Sequence, residues 1–293
     1  IVVADGETDG SWRLAEAVDA QVVKLPAPVG PAAARNRGAH VATGDILFFV
    51  DADVTLPKDA LNQIGDSFQA DPDLDALFGS YDDEPSESNF LSQFKNLSHH
   101  YVHQTANTEA STFWAACGAI RREVFLSVGG FDERYRHPSI EDIDLGYRLR
   151  KAGYRIRLVK RLQVKHLKRW NVGSLLKADI CYRALPWTRL ILNEGRLVND
   201  LNLKTANRVS VILVFVLVLS ILGALLKPEL LAFAPFAGIG LLGLNWHQYR
   251  FFYIKRGLPF TLKAVFWHWF YFFYSGLVFG VGWLSHRMGK SSQ

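Results

Sequence analysis

The 293-residue chain is predicted to be α/β, with a mainly parallel sheet over residues 1–166, an amphipathic interfacial segment at 167–207 and a transmembrane region at 208–293. Three observations carry this division. Short β-branched runs alternate with helical stretches in the first part, and such alternation is the pattern of a parallel sheet with crossover helices. Apolar and basic residues then interleave from about Trp170 to Asn207. Beyond that, long runs without charge take over.

In chain order, strands are expected at 1–3, 21–25, 46–50, 74–78 and 155–159, and helices at 31–42, 57–70 and 141–152. Ligands collect at the carboxyl ends of such strands, which is where Asp5, Asp51 and Asp53 lie. The stretch SLLKADICYRALPWTRLILNEG predicts helices lying in a membrane interface, interrupted at Pro186 and Trp187, with an ordinary domain-packing helix pair as the alternative. Membrane spans are expected at 209–226, 230–246 and 264–284; the first, VSVILVFVLVLSILGALL, nears the roughly 20 residues a helix needs to cross a bilayer. The third contains His268 and many aromatics, so two or three spans are expected. Lys204 and Arg208 precede the first span, and Arg250, Lys255, Arg256 and Lys263 follow the second. Positive residues favour the cytoplasm, so the expectation is a multi-pass protein of the cytoplasmic membrane with its α/β domain facing the cytoplasm.

Composition narrows the function classes. The net charge of +5 is local: residues 165–208 hold nine Lys/Arg against three Asp/Glu. These basic residues sit among Leu, Ile and Trp beside apolar runs, which suits anionic headgroups and argues against nucleic acid as a partner. The two cysteines, Cys117 and Cys181, form neither a disulfide framework nor metal-ligand spacing and fit a reducing compartment. No signal peptide is visible, and the chain opens on Ile1 inside an expected strand, so an N-terminal piece is expected to be missing.

Three segments carry chemistry. In DILFFVDADVTLP an apolar strand runs into Asp51 and Asp53, which point the same way if the strand continues. Two like charges so close need a cation or donors, and a hard divalent ion such as Mg²⁺ or Mn²⁺ supplies that; a pair of turn-forming acids before a helix is the other reading. VVADGETDGS sends a strand into Asp5-Gly6, a turn that lets backbone approach a ligand, or a common strand-to-helix turn. In SIEDIDLGYRLRKAGYRIRLV, Ser139 is placed to cap a helix whose first turn is acidic, an account that also explains Glu141 and Asp142 structurally.

Together these segments resemble glycosyltransferase family 2, inverting enzymes of the GT-A fold, over about residues 1–166. VVADGETDGS is similar to the family's nucleotide-holding loop. PAAARNRGAHVATGDILFFVDADVTLP resembles its helix, strand and D-x-D, with A-R-N-x-G at Ala34-Arg35-Asn36-Arg37-Gly38. CGAIRREVFLSVGGFDE, containing Gly118, is similar to the segment lining the acceptor side, and IEDIDLGYRLRKAGYRI, containing Glu141, to the E-D helix. The resemblance implies that Asp5, Arg35 and Asp51 bind a nucleotide-sugar such as a UDP- or GDP-sugar, that Asp53 ligates Mg²⁺ or Mn²⁺ on the diphosphate, and that Asp142 is the general base. HLKRW looks like the Q-x-x-R-W of membrane-bound processive synthases with His166 in place of Gln. It implies Arg169 at the diphosphate, Trp170 against an acceptor sugar and His166 as a metal ligand; an interfacial basic-aromatic cluster is the other reading.

Departures are also visible. The family's first strand, central to its sheet, is absent, and its D-D-G-S stands here as Ala4-Asp5-Gly6-Glu7. The expected function is a membrane-anchored inverting transferase acting on a lipid-linked or membrane-proximal glycan acceptor. The alternatives are a polyprenyl-phosphate sugar transferase, a processive polysaccharide synthase, or a non-catalytic nucleotide-binding membrane scaffold.

Overall fold

The structure, a computed structural model, describes residues 1–195 and 201–290. It divides into two compact units, one of residues 1–82 and 107–168, the other of residues 83–106 and 169–293.

The first unit opens with β1 (Val2–Asp5), α1 (Trp12–Glu16) and β2 (Val22–Leu25), then α2 (Pro31–Val41), β3 (Ile46–Val50), β4 (Val54–Thr55), α3 (Ala60–Ala70) and β5 (Ala76–Tyr81). The chain passes through α4 (Phe90–Thr105) of the second unit and returns as β6 (Cys117–Arg121), α5 (Arg122–Ser127), α6 (Glu141–Lys151) and β7 (Ile156–His166). All five strands and three helices expected in this unit are present, and β7 runs seven residues further than the short run at 155–159 suggested.

The strands form two hydrogen-bonded sheets rather than one: β1 pairs in parallel with β2, and a five-stranded sheet has the order β3-β6-β5-β7-β4. In the larger sheet β3, β5 and β7 share one direction, while β6 is inserted antiparallel between β3 and β5. The carboxyl ends of β3, β5 and β7 therefore meet at one rim, together with the amino end of β6. Leu77, Phe78, Ile120, Ile156 and Leu158 fill the core and are almost wholly shielded from solvent, which pins strand register because a one-residue slip would expose them.

Helix packing relies on two glycines. A Cβ on Gly38 of α2 would lie 3.1 Å from Val3 of β1, and one on Gly146 of α6 would lie 2.3 Å from the backbone nitrogen of Phe113. The second contact lays α6 directly on the 112–113 backbone. The predicted Ser139 cap is not formed: α6 starts after Ile140 without a side-chain cap, and Glu141 instead folds back to accept the Ser139 N–H at 2.8 Å.

The second unit contains α4, α7 (Val172–Lys177), a π-helical turn at Ala178–Ala184, α8 (Leu185–Glu194), α9 (Thr205–Gly223), α10 (Phe233–Leu244) and α11 (Trp246–Lys290). The expected break at Pro186 does not occur. Pro186 sits in the first turn of α8, which follows without a gap from the wide π-helical turn, and that turn is the irregularity. Within the interfacial segment, residues 196–200 lie outside the described residues. Two helices, α9 and α11, are long and apolar enough to cross a membrane. The run at 230–246 falls largely in a shorter apolar helical stretch, Pro228–Leu244, which contains the 12-residue α10. The run at 264–284 is part of α11, whose helix is broken at Gly257 (φ 77°) just before Pro259.

Candidate functional site

The A-R-N segment of α2 is the hub of the first unit. The guanidinium of Arg35 donates to Asp51 Oδ1 at 2.5 Å and to Glu141 Oε1 at 2.8 Å, joining the end of β3 to the start of α6. Burial works against its charge, but Asp51 and Glu141 outweigh that and raise the Arg35 pKa above its ordinary value. Next along, buried Asn36 fixes the G-G-F-D-E turn. Its Nδ2 donates to Phe131 O at 2.8 Å and to Glu133 Oε1 at 3.0 Å, and its Oδ1 accepts the Phe131 N–H at 2.9 Å. Arg148, paired with Asp144, holds the same turn through Val128 O and Gly130 O. One helix thus ties three segments that lie far apart in sequence.

Asp51 and Asp53 meet different partners. Strand β3 ends at Val50, and the Asp51 N–H donates to Ala116 O. Asp53 leads into β4, which pairs antiparallel with the end of β7 so that Val54 opposes His166. The result places Asp53 Oδ2 3.7 Å from both His166 Nε2 and Lys168 Nζ. Hydrogen bonding to His166 holds the Asp53 carboxyl below the ordinary carboxylate range, although partial burial opposes this. The imidazole is oriented by Tyr81, stacked on it with centroids 4.3 Å apart, and Trp114 meets Tyr81 edge-on at 4.8 Å.

No group of three or more His, Cys, Asp or Glu suited to a metal occurs among the described residues. The Asp53–His166 pair fits a hard cation in donor type, since Mg²⁺ and Mn²⁺ commonly complete their coordination with substrate phosphates and water.

Asp142 lies one residue beyond the Arg35–Glu141 ion pair. Its Oδ1 accepts the Ile143 N–H at 2.8 Å, and its Oδ2 faces the Ala115 N–H at 3.3 Å. Gly146 stands one turn later on the same face of α6, so its close approach to Phe113 also sets the distance from Asp142 to the 112–116 backbone. That backbone continues to Ala116, which holds Asp51.

Five other predicted residues, Asp5, Glu141, Gly118, Trp170 and Arg169, have the following surroundings. Asp5 accepts the Val29 and Gly30 N–H groups at 2.7 and 2.9 Å, so it braces the loop entering α2. Gly6 is required there, because its φ is 63° and a Cβ would lie 2.3 Å from Pro28 N. Glu141 is buried and engaged by Arg35 and by the Ser139 N–H. Gly118 is buried in the β6 ladder, where a Cβ would lie 2.5 Å from Phe113 and from Trp114 O. Trp170, in the second unit, is 7% exposed; its backbone N–H donates to Ser92 Oγ and its carbonyl accepts from Asn89. Arg169, also in the second unit, is largely exposed and lies 3.7 Å from Glu87.

Sequence reasoning missed Tyr81, Trp114, Lys168 and the role of Asn36. Lys168 had a signal, since it follows His166 by two residues and so shares its side of an extended chain. Tyr81 and Trp114 had none, because their pairing depends on how β5 and the 112–116 loop meet.

The class of this fold can now be stated. Residues 1–129 match the model of glycosyl transferase family 2, and residues 95–170 match that of an N-terminal domain of galactosyltransferase. Among solved structures, a mannosyltransferase from Pyrobaculum calidifontis in complex with GDP-Man and Mn²⁺ shares the fold, with a TM-score of 0.53 and 18% identity over 96% of this chain and 76% of that one. Residues 1–129 are thus similar to glycosyl transferase family 2, and the chain shares its fold with that mannosyltransferase.

Two curated proteins are also similar to this chain. The succinoglycan biosynthesis protein ExoA of Rhizobium meliloti is 29% identical over 220 residues, 66% of this chain and 64% of that protein. The N-acetylglucosaminyl-diphospho-decaprenol L-rhamnosyltransferase of Mycobacterium tuberculosis is 47% identical over 58 residues, 20% of this chain and 19% of that protein. The chain thus spans less than two thirds of the length of these relatives.

Proposed function

We propose that this chain acts as a membrane-associated inverting glycosyltransferase, moving a sugar from a UDP- or GDP-sugar to a hydroxyl or phosphate of a lipid-linked acceptor at the cytoplasmic face. The observation that carries the reading is the clamp of Arg35 on Asp51 and Glu141, with Asp142 next in the chain. It binds a donor-side acid and an acceptor-side acid into one rigid unit, which is what in-line displacement requires. The lipid-linked acceptor is supported by the two crossing-length helices and by the relative whose acceptor is a diphospho-decaprenol.

In this scheme Asp51, held by Arg35, accepts hydrogen bonds from the ribose or donor sugar. Asp53 and His166 would hold Mg²⁺ or Mn²⁺. A divalent cation bound there would offset charge on the departing nucleoside diphosphate. Asp142 takes the proton of the acceptor hydroxyl, and attack from the face opposite the leaving group inverts the anomeric centre. Glu141 acts through Arg35 as a positioning residue.

Asp142→Asn is expected to lower transfer by roughly 10²–10⁴-fold, the range for a lost general base, while binding of UDP or GDP with Mn²⁺, measured by calorimetry, stays as in the parent. Unchanged turnover in that variant would remove Asp142 from the mechanism.

A further inference from the structure

Three consecutive residues of the first unit, Trp114, Ala115 and Ala116, each reach a different member of the candidate site. The Ala116 carbonyl accepts the Asp51 N–H at 3.3 Å. The Ala115 N–H faces Asp142 Oδ2, also at 3.3 Å. The Trp114 ring meets Tyr81 edge-on at 4.8 Å, and Tyr81 stacks on the His166 imidazole at 4.3 Å with 19° between the planes. All three residues are buried. Their segment is also wedged from two sides: a Cβ on Gly146 of α6 would lie 2.3 Å from the Phe113 nitrogen, and one on Gly118 of β6 would lie 2.5 Å from the Phe113 ring.

The far end of this chain of contacts is set by strand register. Gly79 interrupts the β5–β7 ladder, where a Cβ would lie 2.3 Å from the Leu162 carbonyl oxygen, and pairing resumes with Ser80 opposite Gln163 and Tyr81 opposite Val164. His166 follows Val164 by two residues in β7 and so projects from the same face, which brings its imidazole against the Tyr81 ring.

We propose that Trp114 is a positioning residue for two parts of the site at once. Its ring fixes Tyr81 and thereby the imidazole beside Asp53; its backbone leads directly into the Ala115 N–H that faces Asp142. Stacked and edge-on rings hold a preferred geometry, and a close-packed segment transmits a displacement rather than absorbing it. The proposal rests on the transferase reading above, and adds that one side chain ties the cation side of the site to the base side.

The test reads both parts by NMR in the full chain without substrate. Isotope-labelled histidine reports the imidazole, with His166 identified by its loss in His166→Gln. Labelled alanine amides report the base side, with Ala115 identified by its displacement in Asp142→Asn. Trp114→Leu, which keeps bulk but no ring, is expected to displace both signals. It should also weaken Mn²⁺ about tenfold, read by electron paramagnetic resonance, the lower end of what outer-shell changes cost in metal affinity. Trp114→Phe keeps a ring edge against Tyr81 and is expected to retain both signals. Tyr81→Leu should displace the His166 signal while leaving Ala115 in place, a second route that does not alter Trp114. Parent positions for both signals in Trp114→Leu, equal displacement by Trp114→Phe, or an unmoved His166 signal in Tyr81→Leu would each overturn the proposal. Absence of Mn²⁺ binding in the parent would count against the cation role of Asp53 and His166, and the two signals would still decide the positioning.

Discussion

Two buried ion pairs, one in each unit, use the same chemistry for different ends. In the first unit Arg35 joins Asp51 and Glu141, and each carboxylate sits at the end of an element that also carries a candidate reacting group. In the second, Lys95 joins Asp179, which Tyr274 also holds, beside a largely apolar cavity. Burial presses the Lys95 pKa down, and the nearby Arg183 adds to that, although Asp179 opposes both. Arg35 instead has its pKa raised, because two carboxylates share it. A network with two acids on one guanidinium fixes geometry between distant segments, whereas a one-to-one pair mainly neutralises itself. Replacing a buried pair by apolar residues is often neutral or stabilising, while removing one partner is costly. The two sites should therefore respond differently to the same kind of substitution.

The largest effect is expected at Arg35. Arg35→Met leaves buried Glu141 and half-buried Asp51 facing each other without a cation, a loss of about 3–5 kcal/mol, read as a lower urea midpoint. The companion change Glu141→Leu should recover stability but not sugar transfer, because the link from β3 to α6 stays broken. In the second unit, Lys95→Met is expected to cost roughly 3 kcal/mol, and adding Asp179→Leu should restore the urea midpoint together with nucleotide binding. Recovery of transfer in the Arg35 and Glu141 double variant would erase the distinction between the two pairs.

The smallest effect concerns acid stability at Asp53. Its folded pKa is depressed, chiefly by hydrogen bonding to His166. Its contribution to stability is therefore complete above the unfolded value of about 3.9 and fades as pH falls through the lower folded value. Between pH 5 and pH 3 the parent should lose more stability than Asp53→Asn, as measured by urea midpoints. Equal losses would mean that the His166 contact does not bias the carboxylate.

Much of this was legible in the residues. The run ILFFV marked β3 to the residue, since five apolar positions bounded by acids leave little freedom, and A-R-N marked the helix that turned out to be the hub. Strand β6 was not legible as a strand, because CGAIR is short, lacks alternation and is defined by neighbours on both sides that are themselves distant in sequence. Helix α4, FLSQFKNLSHHYVHQT, is polar enough to hide its buried face, which holds Phe94 and Leu97. The meeting of Asp53 with His166 depends on a ladder of only two residue pairs, Val54–His166 and Thr55–Lys165. No local pattern announces a pairing that short. HLKRW was read as one functional string, yet the boundary between units falls inside it, after Lys168.

The break at Gly257 gives α11 a joint. Before it, Arg256 is held by Gln93 Oε1 at 2.7 Å and by the Asp83 carbonyl at 2.8 Å, and Lys255 pairs with Asp83. After it, Pro259 has no N–H to bond back across the gap. The stretch after the joint is fastened as well: Phe260 packs on Phe90, Ala264 is fully buried, and the Tyr274 hydroxyl donates to Asp179 at 2.8 Å. Gly257 therefore builds a fixed bend into α11, with both arms anchored in the same unit.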